Sequence, residues 1–538
     1  MIEYSFPAGG IFIGELSLLV IIKNLIKKFG SRTIIDDFSL QFPTNAKIAI
    51  IGANGAGKTT LLNMICGFEE YEDGGEIIIP KGCNLGYLPQ SPCENPKLTI
   101  LEECISGNSK LCDLQERLNE SLLNIADDYD TYEKIENEFS DNNGYALEAE
   151  AKGILVGLGF ENSQFYDNPK SLSGGWRMRL EIAKLLINDP NFIVLDEPTN
   201  HLDLPSLAWL ETYLKSFKGT LLFVSHDRDF INNLATMIIH ISNARVNVYN
   251  GDFEAFLGQK EERETRIAKE REAVKKQQNH LQEFVDRFRA KATKAKQAQN
   301  KLRIIERLKQ IENKLESNIS SEKKSIFKIH IEKQSGKVVF DISNATIGYN
   351  GFPLSKSLDL RILRGDKIAI IGANGIGKST LLKSVIGEIP WIDGKYEMGA
   401  NVSIGYYAQE QLEVLDPSLD ALENILKISP ETNYQQARTI LGGLLITKDE
   451  VKKKISVLSG GEKSKVAIAA LLAQKNNFLI LDEPTNHLDM SSVEALSEAL
   501  SNYEGTVLMV SHNRAFISSF ATHIFKMDKH NKAELFVS

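Results

Sequence analysis

The sequence has few cysteines, no long apolar run and no excess of basic residues. The five cysteines all lie between Cys66 and Cys112 and form no C-x-x-C pair, which predicts reduced thiols in the cytosol and disfavours a metal site. The most apolar stretch, 9–22, is short and contains Glu15, whereas a membrane-spanning helix needs about 20 apolar residues. No Lys or Arg precedes Lys23, so a secretory signal is not predicted.

The overall charge is mildly acidic, with 62 Lys and Arg against 71 Asp and Glu and a net charge of −9. Such a chain is not built to coat nucleic acid over its whole surface, so any contact with nucleic acid requires a local basic patch. A hydrophobic content of 42% and a charged content of 25% are ordinary for globular proteins and exclude collagen-like or wholly disordered chains. At roughly 150 residues per domain, 538 residues predict three or four domains.

The chain is internally duplicated. Four motifs recur in the same order: Gly52–Thr60 as Gly372–Thr380, Leu172–Trp176 as Leu458–Glu462, Asp196–Asp203 as Asp482–Asp489, and Ser225-His226 as Ser511-His512. The offset is 319 positions between Gln90 and Gln409 but 286 between all later pairs, so the first copy carries 33 extra residues between Gln90 and Leu172. Two homologous domains are therefore predicted, with one insertion in the first.

The hydrophobic pattern predicts α/β domains. Short apolar runs predict strands that are buried on both faces. They lie at 47–51, 192–195 and 221–224 in the first copy, and at 367–371, 478–481 and 507–510 in the second. Helical stretches, 59–66 and 379–385, follow the first run of each copy. Strands buried on both faces indicate a mostly parallel sheet that is flanked by helices.

Each copy contains the phosphate-loop pattern G-x-x-x-x-G-K-[ST] between a strand and a helix. Glycines let backbone N–H groups turn towards phosphate oxygens, and the helix N-terminus adds a positive dipole. Lys58 and Lys378 are expected to reach the β- and γ-phosphates, and Thr59 and Ser379 to supply a hydroxyl to Mg²⁺.

Acidic residues follow a later strand in each copy. Asp196 and Asp482 are placed to hold Mg²⁺, and the next residues, Glu197 and Glu483, to polarise an attacking water. The alternative is an acidic pair that is merely solvated or caps a helix. The recurrence of Ser-His after a further strand in both copies favours the functional interpretation.

These motifs in this order resemble ATP-binding cassette domains. The unbroken D-E-P-T-N-H-L-D in both copies, on one chain without a membrane segment, resembles the ABC-F family of tandem ATP-binding cassette proteins, which are soluble and associate with the ribosome. The resemblance covers most of the chain. It implies two P-loop NTPase domains, joined by a helical-hairpin linker, that hydrolyse ATP with Mg²⁺ at two composite sites.

The resemblance also implies roles for individual residues. Phe29 and Tyr349 match the aromatic that stacks on adenine, and the ATP-binding loops comprise Gly52, Asn54, Gly55, Gly57, Lys58, Thr59 and Thr60 in the first copy and Gly372, Asn374, Gly375, Gly377, Lys378, Ser379 and Thr380 in the second. Ser173, Gly174 and Gly175 would contact ATP bound by the second loop, and Ser459, Gly460 and Gly461 ATP bound by the first. The Mg²⁺ ligands would be Thr59, Gln90, Asp196, Ser379, Gln409 and Asp482.

The same resemblance makes Glu197 and Glu483 the catalytic bases, His226 and His512 the switch residues, and Asp203 and Asp489 the residues that couple the sites. The one departure is in the signature motif, Leu172–Trp176 in the first copy and Leu458–Glu462 in the second. Its fifth position is Trp176 and Glu462, respectively, where the superfamily favours Gln. That position is not expected to touch phosphate, so both sites are expected to hydrolyse ATP.

The segment between the two copies predicts a basic helical hairpin. No Gly or Pro interrupts 259–324, and apolar residues at 284, 288, 292, 295, 302, 305 and 308 form a narrow seam. Residues 284–310 contain nine basic and two acidic residues, a net charge of +7. Phosphate-backbone contact is favoured over a plain solvated hairpin, through Arg287, Arg289, Lys291, Lys294, Lys296, Lys301 and Arg303.

By resemblance, the ATP-closed protein would occupy the tRNA exit site of the ribosome, with the hairpin near rRNA and peptidyl-tRNA, and hydrolysis would release it. The extra residues predict a short helical pair over 111–139, whose acidic second half favours contact with a ribosomal protein. The protein is expected to be a cytoplasmic monomer whose two cassettes pair with each other and which has no membrane partner. A transporter ATPase subunit and an ATPase acting on branched DNA remain alternatives. The ordinary linker length favours a housekeeping translation factor over an antibiotic-protection factor.

The predicted domain boundaries follow from these assignments. The first cassette spans 20–258 with its arm at about 105–145, the linker spans 259–337 and the second cassette spans 338–538. Residues 1–19 are interpreted as an extension upstream of the usual family start, with a start codon assigned too far upstream as the alternative.

Overall fold

The computed structural model describes residues 20–88, 98–123, 128–288, 295–316, 327–349, 351–408, 414–446, 450–528 and 533–537. The first half contains strands β1 Ile21–Phe29, β2 Arg32–Gln41, β3 Lys47–Ile51, β4 Glu76–Ile78, β5 Leu85–Leu88, β6 Phe192–Asp196, β7 Thr220–Val224, β8 Met237–Ser242 and β9 Arg245–Asn250. Its helices are α1 Lys58–Ile65, α2 Ile100–Ile105, α3 Ser109–Leu123, α4 Tyr129–Asp141, α5 Leu147–Gly157, α6 Gly174–Ile187, α7 Leu204–Ser216 and α8 Arg228–Leu234.

Two long helices follow, α9 Phe253–Phe288 and α10 Ala295–Glu316. The second half contains β10 Val338–Tyr349, β11 Phe352–Leu363, β12 Lys367–Ile371, β13 Asp393–Met398, β14 Ile404–Tyr407, β15 Phe478–Asp482, β16 Thr506–Val510, β17 His523–Met527 and β18 Ala533–Val537. Its helices are α11 Lys378–Val385, α12 Ala421–Ile428, α13 Tyr434–Gly443, α14 Gly460–Ala473, α15 Met490–Ser501 and α16 Arg514–Phe520.

Each half is built around a six-stranded sheet with the same strand order, β5-β6-β7-β3-β8-β9 and β14-β15-β16-β12-β17-β18. All neighbours in these sheets are parallel except the last pair, β8 with β9 and β17 with β18, which is antiparallel. The predicted α/β class and the mostly parallel sheet are therefore confirmed, with two tandem cassettes. The sequence did not predict the second, three-stranded antiparallel sheet in each half, β2-β1-β4 and β11-β10-β13.

The register of the central strands positions the functional loops. Val224 at the end of β7 lies beside Ile50 of β3 on one side and Asp196 of β6 on the other. The three strands thus end at one edge of the sheet, where the loops that follow them meet. Ligands of open α/β sheets bind at this carboxyl edge.

The core of each half lies on both faces of its six-stranded sheet. In β3, Ala49 and Ile51 contact the helices on one face, whereas Ile48 and Ile50 face the three-stranded sheet on the other. These residues are all at most 5% exposed, and all five residues of β3 are buried. Burial on both faces explains why residues 48–51 of this strand are all apolar.

The segment between the halves forms two helices that pack against each other, α9 and α10. Gln278 of α9 donates a hydrogen bond to Glu312 of α10 at 3.0 Å, and Ile305 and Leu308 are buried as the seam requires. Leu302, which the spacing also places in the seam, is 38% exposed.

The ends of this segment belong to the cassettes. Helix α9 begins at Phe253, before the boundary expected at 259, and Phe253 and Phe256 are buried in the core of the first half. Phe327 and Ile329, which fall within the predicted linker, are buried in the core of the second half.

The insertion folds as the helical pair α3 and α4, anchored by Leu114, Ile135 and Phe139, which are buried. Among the described residues, no helix is both long and apolar enough to span a bilayer.

Candidate nucleotide sites between the two cassettes

The phosphate loops have the same geometry in both halves. Lys58 opens α1, and its Nζ donates hydrogen bonds to the carbonyl of Gly52 at 2.9 Å, while Lys378 binds Gly372 in the same way at 2.8 Å. Gly57, which precedes Lys58, has a φ of +103°, and a Cβ there would lie 2.3 Å from the side chain of Ile34. Only glycine fits this left-handed, crowded position, which fixes the turn before the helix N-terminus.

The acidic residues lie at the ends of the strands beside these loops. Asp196 and Asp482 are the last residues of β6 and β15 and are almost fully buried. Glu197 and Glu483 follow with φ of +52° and +48°, a left-handed conformation that is unfavourable for a residue with a Cβ. Backbone strain of this kind is characteristic of functional sites.

Each of these glutamates is paired with the histidine that follows the next strand. The Nε2 of His226 lies 3.2 Å from Oε1 of Glu197, whose Oε2 accepts a hydrogen bond from the backbone N of His226. His512 and Glu483 lie 3.3 Å apart in the same arrangement. Burial raises the pKa of both carboxyl groups and lowers the pKa of both imidazoles, because charge is poorly solvated here.

A cavity of about 670 Å³ brings the first phosphate loop together with the second signature motif. Its lining includes Phe29, Asn54, Gly55, Gly57, Lys58, Thr59, Thr60, Asp196, Glu197 and His226 from the first half, and Ser459, Gly460, Gly461 and His487 from the second. The contact between the halves is close, since a Cβ on Gly461 would lie 2.3 Å from Nδ2 of Asn54. Phe29 is 51% exposed at this cavity, so one face of its ring is available for stacking.

Two aspartates link each cassette to the phosphate loop of the other. Oδ2 of Asp203 accepts a hydrogen bond from the backbone N of Asn374 at 2.9 Å and also contacts the buried guanidinium of Arg179 at 3.3 Å. Although burial alone would raise it, the pKa of Asp203 is lowered to about 2 by Arg179 and by donated hydrogen bonds. The carboxylate is therefore charged wherever the protein is folded near neutral pH.

Asp489 makes the equivalent contacts on the other side. Its Oδ2 lies 2.8 Å from Nζ of Lys465 and 3.4 Å from the backbone N of Asn54. Asn54 also donates from its side chain to the carbonyl of His487 at 2.9 Å. Asn54, expected only to bind ATP, therefore also contacts the opposite cassette.

The residues around the second loop fit a hydrated divalent cation. The hydroxyl of Ser379 donates a hydrogen bond to Asp482, so a hydroxyl and a carboxylate converge at one point. Thr59 and Asp196 line the same cavity in the first half. Mg²⁺ is held in such sites by one or two protein oxygens together with phosphates and waters. No cluster of three or more His, Cys, Asp or Glu that could hold a metal by itself occurs among the described residues.

Tyr349 corresponds to Phe29 in the second half. It is 48% exposed, and its hydroxyl lies 3.4 Å from Oγ1 of Thr380. Gln90, Gln409, Arg289, Lys291 and Lys294, and the side chain of Lys296, lie outside the described residues. Of the remaining basic residues of the hairpin, Arg287 and Arg303 are exposed and Lys301 is half-buried.

Several residues that hold the site together are not among those predicted from the sequence. Arg179 and Lys465, which bind the coupling aspartates, occupy matching positions in the two copies and are both basic, so aligning the repeat would have found them. Arg514 reaches Glu211 of the other half at 3.6 Å, whereas its counterpart Arg228 contacts Glu254 of α9 at 3.1 Å. The counterpart of Glu211 in the second copy is Ser497, so the repeat is also unequal at this position.

Comparison with known proteins agrees with this architecture. The sequence profile described as ABC transporter matches residues 35–200 and 355–486, and a second profile with the same description, for an extension, matches 239–326. The chain is 40% identical to the ATP-binding protein YdiF of Bacillus subtilis over 95% of this chain and 80% of that protein. It is 35% identical to YbiT of Escherichia coli O157:H7, over 95% and 96%, and 34% identical to ATP-binding cassette sub-family F member 3 of Pongo abelii, over 92% and 69%.

Solved structures of tandem-cassette proteins share the fold. RNase-L Inhibitor matches with a TM-score of 0.61 at 18% identity, over 94% of this chain and 87% of that chain. The archaeal ribosome recycling factor aABCE1, solved with the ribosomal stalk protein aP1, matches with a TM-score of 0.60 at 19% identity and the same coverage. At these identities the likeness concerns the fold alone.

Proposed function

Because the chain belongs to the ABC transporter family, and within it to the ABC-F group of tandem ATP-binding cassette proteins, we propose that it hydrolyses ATP at two composite sites between its cassettes. The observation that carries this proposal is the cavity in which Lys58 and Glu197 face Ser459 and Gly460 of the other cassette. A site assembled from both halves is completed only when the halves meet. ATP binding then stabilises the closed pair, and hydrolysis opens it.

The residues of each site have separate roles in ATP binding and hydrolysis. Lys58 and Lys378, with the backbone N–H groups of their loops, bind the phosphates, and Phe29 and Tyr349 stack on adenine. Thr59, Gln90 and Asp196 hold Mg²⁺ in one site, and Ser379, Gln409 and Asp482 in the other. When bound, Mg²⁺ neutralises the negative charge that develops on the phosphate oxygens.

Glu197 and Glu483 orient the attacking water and accept its proton at a carboxylate oxygen. The position of Glu197 supports this role, because Glu197 lines the cavity that contains Lys58. His226 and His512 hold the carboxylates in place through the contacts of 3.2 and 3.3 Å. Asp203 of the first cassette contacts the second phosphate loop, and Asp489 of the second cassette contacts the first. Through these contacts, opening at one site changes the other.

We further propose that the ATP-closed protein binds the ribosome in the cytoplasm, at the tRNA exit site, and modulates translation. The net charge of +7 over residues 284–310, within a chain of −9, supports contact of the hairpin with rRNA or peptidyl-tRNA phosphates. The acidic helical pair α3–α4 is better suited to a basic ribosomal protein than to RNA. The protein acts as a monomer whose cassettes pair within one chain.

The experiment is sedimentation of the Glu197→Gln/Glu483→Gln double variant with ribosomes and ATP. Without the general bases, the closed form persists and the variant is expected to co-sediment with ribosomes. The matched control combines these changes with Lys58→Ala and Lys378→Ala, which weakens ATP binding and should leave the protein free. If the double variant binds ATP but does not co-sediment with ribosomes, the proposal of a role in translation is wrong.

The two alternatives make different predictions in the same experiment. A transporter ATPase subunit would sediment with membranes rather than ribosomes. An ATPase acting on branched DNA would bind branched DNA in preference to ribosomes. The charge of the hairpin does not decide between the two, because phosphate contacts by themselves do not distinguish nucleic acids.

A further inference from the structure

The two signature motifs differ in how their serine hydroxyls are used. In the second cassette, Oε2 of Glu462 accepts two hydrogen bonds from Ser459, one from the hydroxyl and one from the backbone N, both at 2.7 Å. The backbone N of Glu462 in turn lies 3.3 Å from Oγ of Ser459. This reciprocal arrangement is a capping box at the start of α14, and it engages the single hydrogen of the Ser459 hydroxyl.

The first cassette lacks this arrangement. Ser173 precedes α6 and makes no side-chain capping hydrogen bond, and the first turn of α6 contains no acidic residue. Trp176 stands where Glu462 stands in the second motif, and its ring packs against Phe160 at 4.9 Å and beneath the Arg179 guanidinium at 4.5 Å. The N-terminus of α6 therefore keeps its positive dipole without an internal anion.

The position of Glu462 makes this difference relevant to nucleotide. Ser459 lines the cavity that contains Lys58, and Glu462 lines the adjoining cavity of about 760 Å³, which shares Asn54 and Gly55 with the first. A carboxylate that caps a helix N-terminus offsets the dipole that would otherwise attract an anion. With its hydrogen donated to Glu462, the Ser459 hydroxyl presents only lone pairs to a phosphate oxygen.

We propose that Glu462 is a positioning residue that makes the two composite sites unequal, so that the site containing Lys58 holds ATP less tightly than the site containing Lys378. The inference rests on the proposed ATPase function and adds to it an order of events. Nucleotide leaves the Lys58 site first, while the Lys378 site keeps the cassettes together.

The test measures ATP affinity at each site separately. Equilibrium dialysis of radiolabelled ATP with Mg²⁺ against the Glu197→Gln/Glu483→Gln chain should show two classes of site that differ by about two- to tenfold, the range expected for a carboxylate at a helix N-terminus. Adding Lys58→Ala should remove the weaker class, and adding Lys378→Ala the tighter one.

Variants of Glu462 then test the cause. Glu462→Ala is expected to tighten the weaker class by about two- to tenfold, and Glu462→Gln, which keeps a hydrogen-bond acceptor but removes the charge, to give an intermediate shift. Trp176→Glu should weaken the tighter class, and if that variant does not fold, the two Glu462 variants decide the question.

The outcomes separate this inference from the proposed function. Two bound ATP molecules of equal affinity, a tighter Lys58 site, or no shift in either Glu462 variant would overturn the role of Glu462 and leave the ATPase proposal intact. A chain that binds no ATP would overturn both.

Discussion

Asp203 and Asn374 lie 171 positions apart in the chain, yet the Asp203 carboxylate accepts a hydrogen bond from the Asn374 backbone N at 2.9 Å. The same carboxylate oxygen contacts Arg179, so one atom joins the signature helix of one cassette to the phosphate loop of the other. This contact can form only when the two cassettes lie against each other. Its presence is therefore a direct sign that the pair of cassettes is closed.

Removing Asp203 is expected to destabilise the protein strongly. Arg179 has no exposed surface, and Asp203→Ala removes the Asp203 carboxylate from this buried charge. Breaking a buried ion pair typically costs about 3–5 kcal/mol in the free energy of unfolding. Urea denaturation followed by tryptophan fluorescence measures the loss. Lys23→Ala is the control, because the Lys23–Glu76 pair is more than half exposed and is expected to contribute less than about 1 kcal/mol. Equal losses in the two variants would contradict the prediction.

The stability of the first cassette is expected to depend on pH through Asp227. Burial raises its pKa from 3.8 to about 6, so the folded state retains a proton that the unfolded state releases. The contribution of Asp227 is therefore full below about pH 4 and is lost as the pH rises to about 6, by up to about 3 kcal/mol.

Asp227→Asn isolates this effect, because Asn513 caps the matching helix α16 through a hydrogen bond of 2.8 Å, as Asp227 caps α8 at 3.0 Å. Unfolding free energies of the two proteins, measured at pH 5 and pH 7, should diverge as the pH rises, with the parent protein losing stability relative to the variant. Parallel curves would show that Asp227 does not titrate in this range.

Two matching arginines are expected to differ in their effect on closure. Arg514→Ala removes the contact with Glu211 across the cassettes and should raise the ATP concentration needed for half-maximal closure by about two- to fivefold, the value of a partly exposed ion pair. Arg228→Ala is the control, since Arg228 contacts Glu254 within the first cassette and α9. Fluorescence energy transfer between dyes on the two cassettes measures closure, and equal shifts in the two variants would refute the distinction.

Neutralising exposed basic residues of the hairpin should weaken ribosome binding without loss of ATPase activity. In Arg287→Ala/Arg303→Ala, the slope of log affinity against log salt is expected to become shallower by about one for each phosphate that the hairpin no longer binds. Lys276→Ala is the control on α9, the helix of Arg287, because Lys276 forms an ion pair with Glu272 at 2.8 Å. If ATPase activity falls while ribosome affinity and its salt dependence stay unchanged, the hairpin has a different role.

The parts of the site that follow directly on strands could be predicted from the sequence. Lys58, Asp196 and His226 come just after apolar runs, and parallel strands end at one edge, so their proximity within a cassette follows from local pattern. The cross-cassette contacts depend on how two folded domains meet, and no local pattern records that the carboxylate of Asp203 reaches Asn374.

Some sequence motifs could be recognised, but their effect on the nucleotide cavity could not. The Ser459-x-x-Glu462 spacing is a capping-box signature, but only the structure shows that it engages a hydroxyl at the nucleotide cavity. Strand β13 could not be predicted, because all of its residues are exposed and it lacks an apolar run.

Helix α9 runs without a break for 36 residues, and Phe253 and Phe256 anchor its first turn in the core of the first cassette. At 1.5 Å per residue it is about 54 Å long, and its base lies beside Gly52 and Ala53 of the first phosphate loop. A rotation of the first cassette by about 10° would move the far end of α9 through about 9 Å. A small rotation at the phosphate loop would therefore produce a much larger displacement at the far end of α9.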